Sequence, residues 1–188
     1  RAYRTDVQAV CDLLIFNSKD SCMTMYRDPI VWTGNRQLLG DSIKAYMNDS
    51  TVREAYVLGN ALGIELMFDG KHYNQISSKE MRAYFTDGKL RRNEAIGNVL
   101  SLYYIMEEKD SSLLYLNYME CDTMRMYISA ERKTEKIWGA SPNAMMYPLT
   151  QVPPGKDRLS GFAWYDYVRP KDKHDLYRRV RKGEENKQ

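Results

Sequence analysis

DSIKAYMNDSTVREAYVLGNA, residues Asp41 to Ala61, returns further along the chain as KEMRAYFTDGKLRRNEAIGNV, residues Lys79 to Val99. Laid together without a gap, the copies share Ala45/Ala83, Tyr46/Tyr84, Asp49/Asp87, Arg53/Arg91, Gly59/Gly97 and Asn60/Asn98. A looser third copy, DTMRMYISAERKTEKIWGA, starts at Asp122 and carries Gly139-Ala140 in place of Gly-Asn. Repetition at this spacing signals stacked supersecondary units, none of which buries its apolar face alone.

The period within each copy fixes the unit. Ile43, Ala45 and Met47 alternate with Lys44 and Tyr46; Met81, Ala83 and Phe85 alternate with Arg82 and Tyr84; Met124, Met126 and Ile128 alternate with Arg125 and Tyr127. A period of two is a strand with one apolar face. Asn48-Asp49-Ser50 and Asp87-Gly88 are hairpin turns, because such residues accept the positive φ of tight turns. Each unit is therefore a pair of long antiparallel strands. The Gly-Asn inside the return strand is read as a bulge, since a glycine there weakens pairing unless the strand must bend.

Residues 1 to 36 follow the same plan, with a turn over Asn17 to Asp20 that is expected to set Tyr26 opposite Cys11 and Ile15 opposite Cys22. Asp28-Pro29 falls where Asn60-Ala61 falls later. Val99 to Met106 is nearly all apolar, as in a strand covered on both faces, and Glu107 to Ser112 is a polar loop. The count reaches about eight strands by Tyr147. Pro148, Pro153, Pro154 and Gly155 then end the ladders. Phe162, Trp164, Tyr165 and Tyr167 are read as a flap packed back on the sheet, DLYRRVRK (175–182) as a short helix, and Gly183 to Gln188 as a disordered tail. The division is thus 1–147, an all-β domain of stacked hairpins, and 148–188, an irregular C-terminal segment.

Composition narrows the function. With 188 residues, 43% of them apolar, the chain has enough core for one domain. The net charge of +3 is mild and dispersed apart from Arg178-Arg179-Val180-Arg181-Lys182, so no nucleic-acid face is expected. No apolar run is long enough to span a bilayer as a helix. The chain opens on Arg1 without a signal-like stretch, as a processed or excised chain would. Cys11, Cys22 and Cys121 form no C-x-x-C pair and His72 and His174 have no partners at ligand spacing, so neither a metal nor a cofactor is expected. The carboxylate pairs Glu107/Glu108 and Glu184/Glu185 sit in a loop and a tail, which argues against an enzyme.

PIVWTGNRQLLGDSIKAYMNDSTVREAYVLGNALGIE (29–65) with SKEMRAYFTDGKLRRNEAIGNVLSLYY (78–104) resembles the OstA/LptA group of lipopolysaccharide-transport proteins, and most of all the OstA-like proteins of Bacteroidetes. The likeness spans residues 5 to 147, and GFAWYDYVRP (161–170) resembles the close of such proteins. It implies an open, V-shaped β-jellyroll, a periplasmic place, possible association with the outer membrane, and carriage of lipopolysaccharide. It also implies edge pairing, head-to-tail with itself or with related jellyrolls in an inner-membrane anchor and an outer-membrane assembly protein.

Physical chemistry reaches a compatible function. Each exposed CH₂ costs about 0.8 kcal/mol, so an acyl chain of a dozen carbons costs on the order of 10 kcal/mol in water. A carrier must supply an apolar trough. The lipid-binding candidates are Ile43, Ala45, Met47, Met81, Ala83, Phe85, Met124, Met126 and Ile128, expected to be core near the fold of the V and lipid-facing near its mouth. Cations for lipid phosphates are sought at the rim, in Lys71, Arg36 or Lys79. Lys44, Arg82 and Arg125 belong to the opposite, solvated face, with Tyr46, Tyr84 and Tyr127 packed beside them. The alternative is a non-catalytic adhesion or glycan-binding module, to which the fifteen tyrosines would lend stacking rings.

Overall fold

Hairpin turns form where the residues accept a left-handed backbone: Asp49 has φ 46°, Asp87 51° and Gly88 69°. A computed structural model describes residues 1–49, 51–107, 112–131 and 134–177. The strands are β1 (Ala2–Arg4), β2 (Val7–Val10), β3 (Leu13–Asn17), β4 (Cys22–Tyr26), β5 (Ile30–Thr33), β6 (Arg36–Leu39), β7 (Ser42–Asn48) and β8 (Thr51–Leu66). They continue as β9 (Tyr73–Thr86), β10 (Lys89–Met106), β11 (Leu113–Ile128), β12 (Thr134–Gly139) and β13 (Asn143–Pro148). Every pairing is antiparallel.

The eight expected strands are present as eight long runs, five of them the continuous β8 to β11 and the broken β12–β13, the others the broken β2–β3, β4–β5 and β6–β7; β1 adds a short edge. The strand breaks and the Gly-Asn bulges fall on one line. Arg27 and Asp28 have φ 58° and 56°, Gly59 and Asn60 72° and 45°, Gly97 and Asn98 82° and 51°. Register slips at the same places, between Leu58 and Ala61 and between Ile96 and Val99. On the facing strands Asp12, Asp41 and Asp122 donate their backbone N–H to the carbonyls of Arg27, Gly59 and Ala140. Asp41 also accepts two hydrogen bonds of 3.1 Å from the Asn60 amide. The expected Gly-Asn bulge is therefore the crease of the molecule, and Asp28 occupies the equivalent place. The third copy has no such bulge: its run breaks at Ser141, φ 50°, ahead of Pro142.

The crease divides the sheet into two leaves. The first holds β1, β2, β5, β6, β13 and the halves of β8 to β11 beyond the crease; the second holds β3, β4, β7, β12 and the other halves. Inside the angle Met25, Ile43, Val57, Met81, Ala95 and Met124 of the second leaf pack against Ala9, Ala61, Val99 and Cys121 of the first.

The C-terminal segment crosses the outer face of the first leaf as a strap. One cross-strand row there runs Gln8, Trp32, Gln37, Ile64, Gln75, Leu102, Tyr118. Gln75 donates to Asp157 O (2.9 Å) and accepts from Leu159 N (2.8 Å); Gln37 donates to Ala163 O and accepts from Tyr165 N, each at 2.7 Å. Gln8 accepts from the Arg169 guanidinium at 2.6 and 2.8 Å. Between these clasps Leu159, Phe162, Trp164 and Val168 cover the row's apolar members. The aromatic flap thus lies on a sheet face.

Three expectations change. The first hairpin pairs Asn17 with Cys22 and Leu13 with Tyr26, its four-residue loop shifted one position along to end on Ser21 at φ 50°; the cysteines still do not face each other. Val99 to Met106 is covered on both faces only at its start, where Val99 is buried inside the angle; beyond it Leu102 and Tyr104 are buried on the strap side, while Tyr103 and Met106 are exposed. Of the expected helix, Asp175–Tyr177 is a single 3-10 turn, and residues 178–188, with the tail, lie outside the described residues.

Candidate functional site

The second leaf's inner face is built from parallel rows. Leu14, Met25, Ile43, Val57, Met81, Ala95, Met124 and Gly139 pair across eight strands in succession, and beside them run Phe16, Met23, Ala45, Ala55, Ala83, Asn93, Met126 and Ile137. A third row holds Met47 opposite Val52, Phe85 opposite Leu90, and Ile128. In all three copies a one-residue register slip precedes this last row, leaving Arg53, Arg91 and Glu135 as the extra residues.

All nine residues singled out in the sequence share this face. Ile43, Met81, Met124 and Ala45 are buried near the crease, while Ala83, Met126, Met47, Phe85 and Ile128 are half-buried. At the rows' ends Phe16 is 58% and Ile137 57% exposed. From the crease row of Ile43, Met81 and Met124 to the outer row of Met47, Phe85 and Ile128 burial declines, and the face is an open trough. Sequence reasoning missed Met23, Met25 and Phe16, which lie on strands outside the conspicuous repeat, and Val57, on the return strand of its first copy.

The rim residues separate. Arg36 stands on the inner mouth of the first leaf, 2.8 Å from Glu65, and Lys71 is exposed in the β8–β9 turn. Lys79 is at the crease, its stem lying where a Cβ on Gly97 would come within 2.9 Å, and so is not a rim residue.

Comparison with solved structures finds LptH, described as the LptA-homologous periplasmic component of the lipopolysaccharide transport device of Pseudomonas aeruginosa. The superposition has a TM-score of 0.51 at 12% identity and covers 74% of this chain and 92% of LptH. The fold is an LptA-like β-jellyroll. No protein-family model and no curated protein matches the sequence.

On this LptA-like fold the opposite face of the second leaf is polar. Arg82 lies over the Tyr56 ring, Arg92 over Tyr84 at 4.1 Å, Lys136 over Tyr127 and Arg125 over Trp138 at 5.0 Å. Glu94 sits between Arg125 (3.1 Å) and Arg92 (3.5 Å). The hydrogen bond to Glu54, with burial, pushes the Tyr56 phenol up to about 12. The expected Lys/Arg face with its tyrosine ladder is this surface, its rings already covered by cations.

Cys22 and Cys121 are buried and Cys11 half-buried, and burial raises the thiols of Cys11 and Cys121, which keeps them protonated. Among the described residues no cluster of three His, Cys, Asp or Glu could hold a metal, and no helix is long and apolar enough to cross a membrane. Two shallow concavities, about 290 and 230 Å³, lie along the strap beside Arg169 and Lys156, away from the trough.

Proposed function

We propose that this chain is a non-catalytic periplasmic carrier or bridge for lipopolysaccharide on its way to the outer membrane, holding lipid A acyl chains in the trough. In this reading it is an OstA-like member of the group, with residues 1–147 as carrier and 148–188 as an accessory segment. One observation carries it: an apolar face whose burial falls from Ile43, Met81 and Met124 at the crease to half-buried Met47, Phe85 and Ile128, and which ends at the edge strands in exposed Phe16 and Ile137. Soluble proteins rarely leave a broad apolar surface open unless something occupies it. Met23, Met25, Met47, Met81, Met124 and Met126 give that face a flexible lining able to adapt to chains of different shape. The likeness to LptH supports the same reading.

Edge pairing belongs to it. Among the described residues β3 pairs only with β4, and β12 only with β11, so each end of the second leaf offers a strand edge without a partner there. Such edges recruit strands from other jellyrolls or from another copy.

The test is displacement of fluorescent lipid A, run beside a soluble glycan array. Saturable binding of lipid A, weakened about tenfold or more by Ala83→Glu with Met126→Glu, is expected, since a carboxylate in the trough must be desolvated by the chains. Binding to glycans alone would favour the adhesion module. The cations over Tyr84, Tyr127 and Trp138 argue against that outcome, because the rings they cover are not free to stack on sugars.

A further inference from the structure

The two walls of the trough are chemically unequal. Near the crease both are apolar. Toward the mouth the second leaf remains so, through Met47 and Val52, Phe85 and Leu90, and Ile128. The first leaf does not. One rung outward from Val31, Leu38 and Ile76 its inner face carries Thr33, Arg36, Glu65 and Asn74 in one cross-strand row, continued on β10 and β11 by the paired Tyr103 and Asn117, with apolar Met146 only at its β13 end.

Hydrogen bonds fix the middle of this rung. Arg36 Nε donates to Glu65 Oε1 at 2.8 Å, Asn74 donates to Glu65 Oε2 at 3.1 Å, and Asn74 Oδ1 accepts the Tyr104 N–H at 2.9 Å. The side chains of Thr33, Tyr103 and Asn117 bond to no other described residue, and Tyr103 is 53% exposed. Their donors and acceptors point to whatever fills the mouth.

We infer that this rung is a headgroup subsite: the sugar-phosphate part of an acylated glycolipid lies against Thr33, Arg36, Tyr103 and Asn117, while its acyl chains lie along the second leaf. The inference rests on the carrier reading and adds an orientation to it. Acyl chains laid on the rung would strip water from Arg36, Glu65 and Asn74 without replacing its hydrogen bonds. Sugar hydroxyls laid on Met47 or Phe85 would lose theirs likewise. Only one orientation avoids both losses. The planar guanidinium of Arg36, bound to Glu65 along one side, keeps further N–H groups for a phosphate oxygen.

Two ligands separate the walls in the full chain: labelled lipid A, and N-phenyl-1-naphthylamine, an apolar probe with neither sugar nor phosphate. The triple variant Thr33→Val, Tyr103→Phe, Asn117→Leu should bind lipid A about tenfold more weakly, by loss of hydrogen bonds in a partly dry mouth, with the probe changed less than about twofold. Met47→Glu with Phe85→Glu on the opposite wall should weaken both ligands. Equal weakening of the two ligands by the rung variant, or unchanged lipid A binding, overturns the headgroup subsite. A wild-type chain that binds neither ligand overturns the carrier reading itself. Should circular dichroism show the triple variant unfolded, Tyr103→Phe alone serves, with a loss of about threefold for lipid A and none for the probe.

Discussion

Gln37 shows how much one polar side chain organises here. It is 1% exposed, accepts from Trp32 Nε1 (3.2 Å) and Tyr165 N (2.7 Å), and donates to Ala163 O (2.7 Å). Replacing it with Leu keeps the volume and strands one buried and two part-buried polar groups, each costing about 1–3 kcal/mol if water stays out. We expect Gln37→Leu to lose about 4 kcal/mol, a fall of about 10 °C in Tm by calorimetry. Should the strap lift and rehydrate instead, limited proteolysis would cut it after a smaller loss; wild-type Tm and wild-type protease resistance together would refute the clasp. Asp69 gives a pH test. Burial pushes its carboxyl up, but hydrogen bonds from the His72 ring and from the His72 and Lys71 N–H groups outweigh that and bring it down to about 2. A depressed carboxyl stabilises the fold above its unfolded pKa and ceases to as pH falls through the folded one. The stability gap between wild type and Asp69→Asn should be full above about pH 4, about 1 kcal/mol after solvent screening, and should close toward pH 2 in urea titrations. A gap that widens on acidification would contradict it.

At the scale of the strand, the crease depends on which residues tolerate a left-handed backbone. A Cβ on Gly59 would meet the Asp41 carboxylate at 2.1 Å, whereas one on Gly97 would meet the flexible Lys79 stem at 2.9 Å. Both positions have positive φ, costing a non-glycine residue roughly 1–2 kcal/mol. Gly59→Ala should therefore lose about 3 kcal/mol and Gly97→Ala about half as much, by chemical denaturation; equal losses would mean that the Asp41 contact is unimportant. The same residues explain what could be read in advance. Asp87-Gly88, Gly59-Asn60 and Gly97-Asn98 carry local chemistry that names their conformation, so the hairpins and bulges were legible. Arg27, Ser21 and Ser141 adopt positive φ without any such residue type, held there by the strands around them. The first hairpin's register and the split of the third copy were illegible for that reason. Gln8, Gln37 and Gln75 are unremarkable in sequence; only the register, which sets them in one row with Trp32 and Ile64, makes them a clasp. The polar rung of Thr33, Arg36, Glu65 and Asn74 was hidden in the same way, apart from Arg36 itself.

For the whole molecule the question is which surfaces remain for partners. The strap closes the outer face of the first leaf, and cations over aromatic rings make that of the second leaf polar. The strand edges are left. β3 is exposed along all five residues, Leu13, Leu14, Ile15, Phe16 and Asn17, and carries no charge, proline or bulge of the kind that blunts an edge. At the other end β12 is exposed over Thr134 to Trp138. An uncharged, apolar edge and a second edge exposed at the other end of the same leaf are what head-to-tail strand addition would use. Leu13 and Ile15 point away from the trough, since Ile15 shares its row with Thr24, Lys44 and Tyr56. Leu13→Lys with Ile15→Lys therefore charges the edge and leaves the inner rows intact. Static light scattering over a dilution series should show the wild-type mass rising with concentration, and the double variant associating at least about tenfold more weakly. Exposed substitutions of this kind shift stability by no more than about 0.5 kcal/mol each, so unfolding cannot account for the difference. A wild-type chain that stays monomeric at every concentration would leave β3 without a strand partner from its own kind, and the bridge would then have to be built with other jellyrolls.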